Sequence, residues 1–126
     1  MQMEGHIQKR RKEKIVLGSV EKIRIRDKIY DAKVDTGAER SCVCKEIAEE
    51  LELGPPLKKV KVKNVYGETE RPVIKEPIKL KGKKMNSTFS VYDRSEMNFP
   101  VLIGKNIIRR GFIVDLTKDK ETNKIK

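Results

Sequence analysis

The chain has 126 residues, 37% hydrophobic and 39% charged. That is enough for one core and too little for two full lobes, so a single compact domain with a heavily charged surface is expected. Lysine and arginine total 30 against 19 acids, for a net charge of +11 that attracts polyanions. No secretory segment or membrane-length apolar run is recognisable, so a cytoplasmic protein with no membrane partner is expected.

Residues 1–14, "MQMEGHIQKRRKEK", lack apolar periodicity and read as a basic arm. From residue 15 the chain is rich in β-branched residues, and Ile23 and Ile25 alternate with Arg24 and Arg26. This predicts two antiparallel strands, about 15–25 and 29–34, with a tight turn at "RDKI". Next, Ile47, Ala48 and Leu51 lie at helical spacing, and Gly54, Pro55 and Pro56 supply a stop. A helix over about 44–53 is expected.

The middle is strand-like again, with Val60, Val62 and Val65 interleaved with lysines. Gly67, Gly82 and Asn86 are natural turns, and Pro72 and Pro77 argue for edge positions or a protruding hairpin. "PVLIG" reads as a buried strand, "KNIIRRG" as one or two helical turns and "FIVDL" as a last strand. Residues 117–126 read as a polar tail. Seven or eight short strands with one or two helices describe a mainly β fold, a small barrel or sandwich, over residues 15–116.

The cysteines, Cys42 and Cys44, read as small thiols rather than a disulfide. With His6 the only histidine, they fall short of the four ligands of structural zinc, so neither metal nor cofactor is expected.

The second predicted strand runs directly into "KVDTGAERS". Alone, Asp-Thr-Gly fits a solvated turn, because aspartate and glycine are common where strands end. Chemically, an apolar strand would hold the Asp35 carboxylate at a fixed, partly dry place. The Thr36 hydroxyl would lock the loop, Gly37 would let a substrate backbone approach, and Ala38 would leave room. One carboxylate cannot perform acid and base work together. Two that share a proton can, so the second would come from a second chain about a two-fold axis.

"VDTGA" followed by "FPVLIGKNII" resembles the retropepsin-like aspartic proteases. More narrowly, "YDRSEMNFPVLIGKNIIRRGFIVDL" is similar to a bacterial and archaeal branch labelled ATP-dependent zinc proteases, encoded beside ATP-grasp glutamate ligases. The resemblance covers residues 15–116. It implies a closed acid-protease barrel and a homodimeric endopeptidase with one Asp35 per chain, acting on peptides, acidic ones among them. By the same resemblance Leu102, Ile103 and Gly104 support the loop, and Glu39 and Arg40 touch the substrate. Tyr66 and Gly67 would form a flap tip, while Arg71 and Arg94 would bind carboxylates. The zinc label finds no ligand set here. The polar termini also differ from the apolar dimer strands of the viral enzymes.

Two other functions match the composition. One is a basic barrel that binds nucleic acid or the ribosome, although three Phe, three Tyr and no Trp make base-stacking platforms scarce. The other is a protease fold kept as an idle dimerisation module.

Overall fold

A computed structural model of the protein describes residues 13–93 and 97–119. Most of the expected arm (1–14) and tail (117–126) lies outside the described residues. Nine strands and two helices form: β1 (Ile15–Leu17), β2 (Val20–Ile25), β3 (Lys28–Val34), β4 (Ser41–Cys44), α1 (Lys45–Glu50), β5 (Lys58–Asn64), β6 (Gly67–Leu80), β7 (Lys83–Tyr92), β8 (Val101–Ile103), α2 (Lys105–Ile108) and β9 (Phe112–Val114).

The main sheet has the order β2-β3-β8-β4-β7-β6-β5, and β2 also pairs with β6 through Ile23↔Leu80, Arg24↔Lys79 and Ile25↔Ile78. That last pairing closes six strands into a barrel, which removes their free edges. The fold is therefore mainly β, with short helices attached; residues 117–119 are also helical. Alternation sets what lies inside: Ile23 and Ile25 are fully buried while Arg24 between them is exposed. Val43, Leu80, Phe89, Val101 and Ile103 complete the centre. Each such side chain contributes roughly 1.5–3 kcal/mol through burial.

The strand expected over 15–25 is two strands. β1 pairs with β9 in a separate parallel ribbon, whereas β2 joins the barrel. Between them the Gly18 N–H donates to Glu21 Oε2 (2.6 Å) and the Ser19 N–H to Asp119 Oδ1 (3.2 Å). Side-chain acceptors replace the strand ladder there, so the chain can change sheets. The turn after β2 falls at Arg26–Asp27, with Arg26 at φ 59°. Helix α1 is shorter than expected because Glu52 takes a left-handed φ of 55°.

Both strand prolines sit where one flank of β6 is open. Pro72 pairs with Lys59 of β5, just before the β7 pairing begins at Val73. Pro77 pairs with Asn86 of β7, just before the β2 pairing begins at Ile78. Their missing N–H groups cost little at these points. Beyond Pro72, β5 and the first half of β6 pair only with each other and leave the barrel as a hairpin.

Candidate active site

Asp35 stands at the end of β3. Its strand lies parallel to β8 with Val34 opposite Ile103, and the Asp35 N–H donates to the Ile103 carbonyl (2.9 Å). The residue is half-buried, with Thr36 and Gly37 exposed beyond it. The Gly37 N–H donates to Asp35 Oδ1 (2.9 Å), which fixes the carboxylate's orientation. A Cβ at Gly37 would lie 3.3 Å from that same oxygen, so a side chain there would crowd it. The Ala38 N–H closes the turn on the Asp35 carbonyl (3.2 Å).

Gly104 lies beneath this loop. A Cβ on it would meet the Arg40 carbonyl carbon at 2.8 Å and the Ala38 and Arg40 oxygens at 2.9 Å. The constraint is space, since Gly104 has an ordinary φ of −103°. The start of α2 then grips the loop: Lys105 N–H donates to the Ala38 carbonyl (2.7 Å) and Asn106 N–H to that of Glu39 (3.1 Å).

Side chains finish the clamp. Ser41 is fully buried; its N–H and hydroxyl both donate to Asn106 Oδ1 at 2.8 Å, and its Oγ accepts from the Gly104 N–H at 2.9 Å. Asn106 Nδ2 donates to the Thr88 carbonyl (3.0 Å) on β7. Three segments, β4, β7 and α2, thus meet at one amide, and the buried Ser41 hydroxyl is satisfied both as donor and as acceptor. The sequence reading assigned this lock to Thr36, whose hydroxyl makes no hydrogen bond among the described residues. Ser41 and Asn106 were missed. The signals were a lone serine heading the apolar run "SCVC" and an asparagine interrupting "LIGKNII".

Glu39 is exposed on the loop's outer side, paired with Lys105 (3.2 Å) and Arg109 (3.4 Å). The Lys105 hydrogen bond, followed by the Arg109 charge, holds its carboxyl below the usual range. Behind Asp35 the Cys42 thiol is pushed up to about 11, mainly by burial and then by the Asp35 charge. Arg40 and Arg71 act on that thiol in the opposite sense, so Asp35, Arg40 and Arg71 share one neighbourhood. Arg71 reaches it from β6, its guanidinium 4.6 Å from the Tyr92 ring centroid.

Two hollows are relevant, and the first borders Asp35 itself. One, of about 260 Å³, is lined by Lys33, Asp35, Met97, Asn98, Phe99 and Leu102. The other, of about 300 Å³, includes Arg71, Tyr92 and Asp93. Tyr66 and Gly67 lie at the tip of the β5–β6 hairpin, with Tyr66 94% exposed. Arg94 lies outside the described residues. Among the described residues, no three His, Cys, Asp or Glu side chains are grouped to hold a metal ion, and no helix is long and apolar enough to cross a membrane.

With this geometry in view, three comparisons bear on the chain. A Legionella pneumophila protein of unknown function, Lpg0085, shares the fold with a TM-score of 0.59 and 22% identity over 82% of this chain and 94% of its own. The simian foamy virus protease does so with a TM-score of 0.58 and 20% identity over 71% of this chain and 91% of its own. No curated protein matches. A family model described as "RimB-like: Retropepsin-like aspartic endopeptidase RimB" matches residues 44–124, well over half of the chain. The match begins after the Asp35 loop and includes the Gly104–Asn106 layer that supports it. The chain belongs to the RimB-like family of retropepsin-like aspartic endopeptidases.

Proposed function

We propose that the protein is a homodimeric aspartic endopeptidase in which Asp35 of each chain supplies half of the catalytic pair. The observation that carries this reading is a half-buried carboxylate oriented by the Gly37 N–H and seated on the Gly104–Asn106 layer, while Glu39, the loop's other carboxylate, is turned to the outer side in ion pairs with Lys105 and Arg109. Two such groups about a two-fold axis would share one proton, because like charges so close cannot both ionise. The ionised Asp35 takes a proton from water as its oxygen attacks the peptide carbonyl carbon. Asp35 of the partner subunit gives its proton to the carbonyl oxygen. Collapse of the tetrahedral intermediate then passes a proton to the leaving amine and restores the pair.

The remaining assignments belong to the same proposal. Thr36, Gly37 and Ala38 shape the loop, and Glu39 with Arg40 borders the substrate. The β5–β6 hairpin carries Tyr66 and Gly67 over the entrance as a flap. Leu102, Ile103 and Gly104 form the support. Arg40 and Arg71 near Asp35 favour acidic peptides, since a guanidinium binds a carboxylate bidentately.

The test is Asp35→Asn. Incubated with a peptide library that includes glutamate-rich members, the wild type is expected to cleave. The variant is expected to fold and dimerise normally and to lose at least a thousandfold in rate. Equal cleavage by both proteins would overturn the proposal.

A further inference from the structure

The protein carries two lysine ladders, and they differ in one respect. On the β5–β6 hairpin, Lys61 stands opposite Glu70 and Lys63 opposite Glu68, so each cation faces an acid. On the outer face of the barrel, Arg24 stands opposite Lys79 and Lys79 opposite Lys84. Three exposed cations thus lie side by side across β2, β6 and β7. Like charges directly opposite one another destabilise a sheet. None of the three has an ion-pair partner among the described residues.

This row borders a hollow of about 400 Å³ that also includes Pro77 and Asn86. A second hollow, of about 420 Å³, shares Asn86 and adds Lys75, Thr88 and Arg110. Among the described residues, no acidic side chain lines either one. Arg26, at the rim, is already held by the buried Glu76 (2.9 Å), so it contributes little free charge.

We propose that this outer face of β2, β6 and β7 binds the phosphate backbone of duplex nucleic acid. A polyanion that covers the row supplies the counter-charges it lacks. At the row β2 and β6 are paired on both sides and offer no edge on which an extended peptide could hydrogen-bond, while β7 is paired there with β6 and meets β4 only from Phe89 onwards. Phosphates need no such edge. Cationic side chains with Asn86 and Thr88 beside them suffice. The lining holds no aromatic ring for stacking on unpaired bases, which favours a duplex over a single strand. Adjacent strands are about 4.8 Å apart, so the row spans about 10 Å, enough for two neighbouring phosphates.

The experiment compares two double substitutions with the same change in net charge, Lys79→Gln/Lys84→Gln and Lys61→Gln/Lys63→Gln. Binding of a labelled 20-base-pair RNA duplex to the full chain is followed by anisotropy between 50 and 200 mM salt. Wild type is expected to bind with steep salt dependence. The barrel pair is expected to flatten the slope of log K against log salt by about two, at an unchanged or raised Tm, with the hairpin pair staying close to wild type. Asp35→Asn is expected to bind like wild type, which separates this site from the proposed catalysis. Equal losses in both pairs would mean bulk charge rather than a site. Absence of duplex binding would also overturn the proposal, as would displacement of the duplex by equimolar octaglutamate or by anionic phosphatidylserine vesicles.

Discussion

The loop from Asp35 to Ser41 and the tip of the β5–β6 hairpin are both strand connections, and they are built in opposite ways. The first is held from below and behind. Gly104 touches its backbone, Lys105 and Asn106 bind its carbonyls, and the Asn106 amide ties Ser41 to β7. At the tip, Val65 and Tyr66 are both at least 90% exposed, and a Cβ at Gly67 would meet nothing within 4 Å. The β5–β6 pairing from Asn64↔Gly67 onwards carries it away from the barrel. On the proposed function, a group that must hold its angle to a reacting bond is set in a close-packed layer. On the same proposal, the segment that would admit a peptide is an exposed hairpin tip.

The comparison breaks most severely at Gly104. Replacing it by alanine forces a methyl group against three backbone atoms within 3 Å, with no side chain able to yield. We expect Gly104→Ala to lose about 3 kcal/mol in urea unfolding. A loss below 0.5 kcal/mol would show that the loop is not tightly seated. Asn106→Ala comes next, at about 2 kcal/mol, because it leaves the fully buried Ser41 donors without an acceptor. Ser41→Ala in the same background should add much less than it does alone, since the two residues share one network. Full additivity would contradict that.

A gentler test uses acid. The folded chain holds the Glu39 carboxyl below its ordinary 4.5 through Lys105 and Arg109, so the unfolded chain takes up that proton more readily. Its contribution is whole above pH 4.5 and is lost as the pH falls through the lowered folded value. Glu39→Gln should therefore flatten the stability profile only below about pH 4.5, read by urea unfolding at stepped pH. A parallel profile would mean that the pair does not order the loop. The smallest effect on stability belongs to the tip, where Tyr66→Ser should stay within about 0.5 kcal/mol of wild type. The same change should still raise KM for peptide cleavage. An unchanged KM would remove Tyr66 from the entrance.

Local signals carried much of the fold. Alternation around Ile23 and Ile25 marked β2, the "RDKI" turn marked the hairpin, and a strand ending in Asp35 was readable from residues 29 to 35. The pairing of Gly104 with the Asp35 loop came from resemblance, because nothing local links residues so far apart. The closing register Ile23↔Leu80 and the Ser41–Asn106 bond are likewise long-range facts that no periodicity encodes. The break at Gly18–Ser19 depends on Glu21 and on Asp119, a hundred residues away from Ser19. The lock misassigned to Thr36 has the same origin: hydroxyls abound on such loops, and only the packed structure shows which one is buried.

The central claim is that one active site takes an aspartate from each of two chains. Mixing wild type with Asp35→Asn after subunit exchange tests it directly, with peptide cleavage as the readout. If both carboxylates are needed, activity falls as the square of the wild-type fraction, and an equal mixture retains about a quarter. A linear fall, to about half, would mean that each chain works alone and would contradict the account.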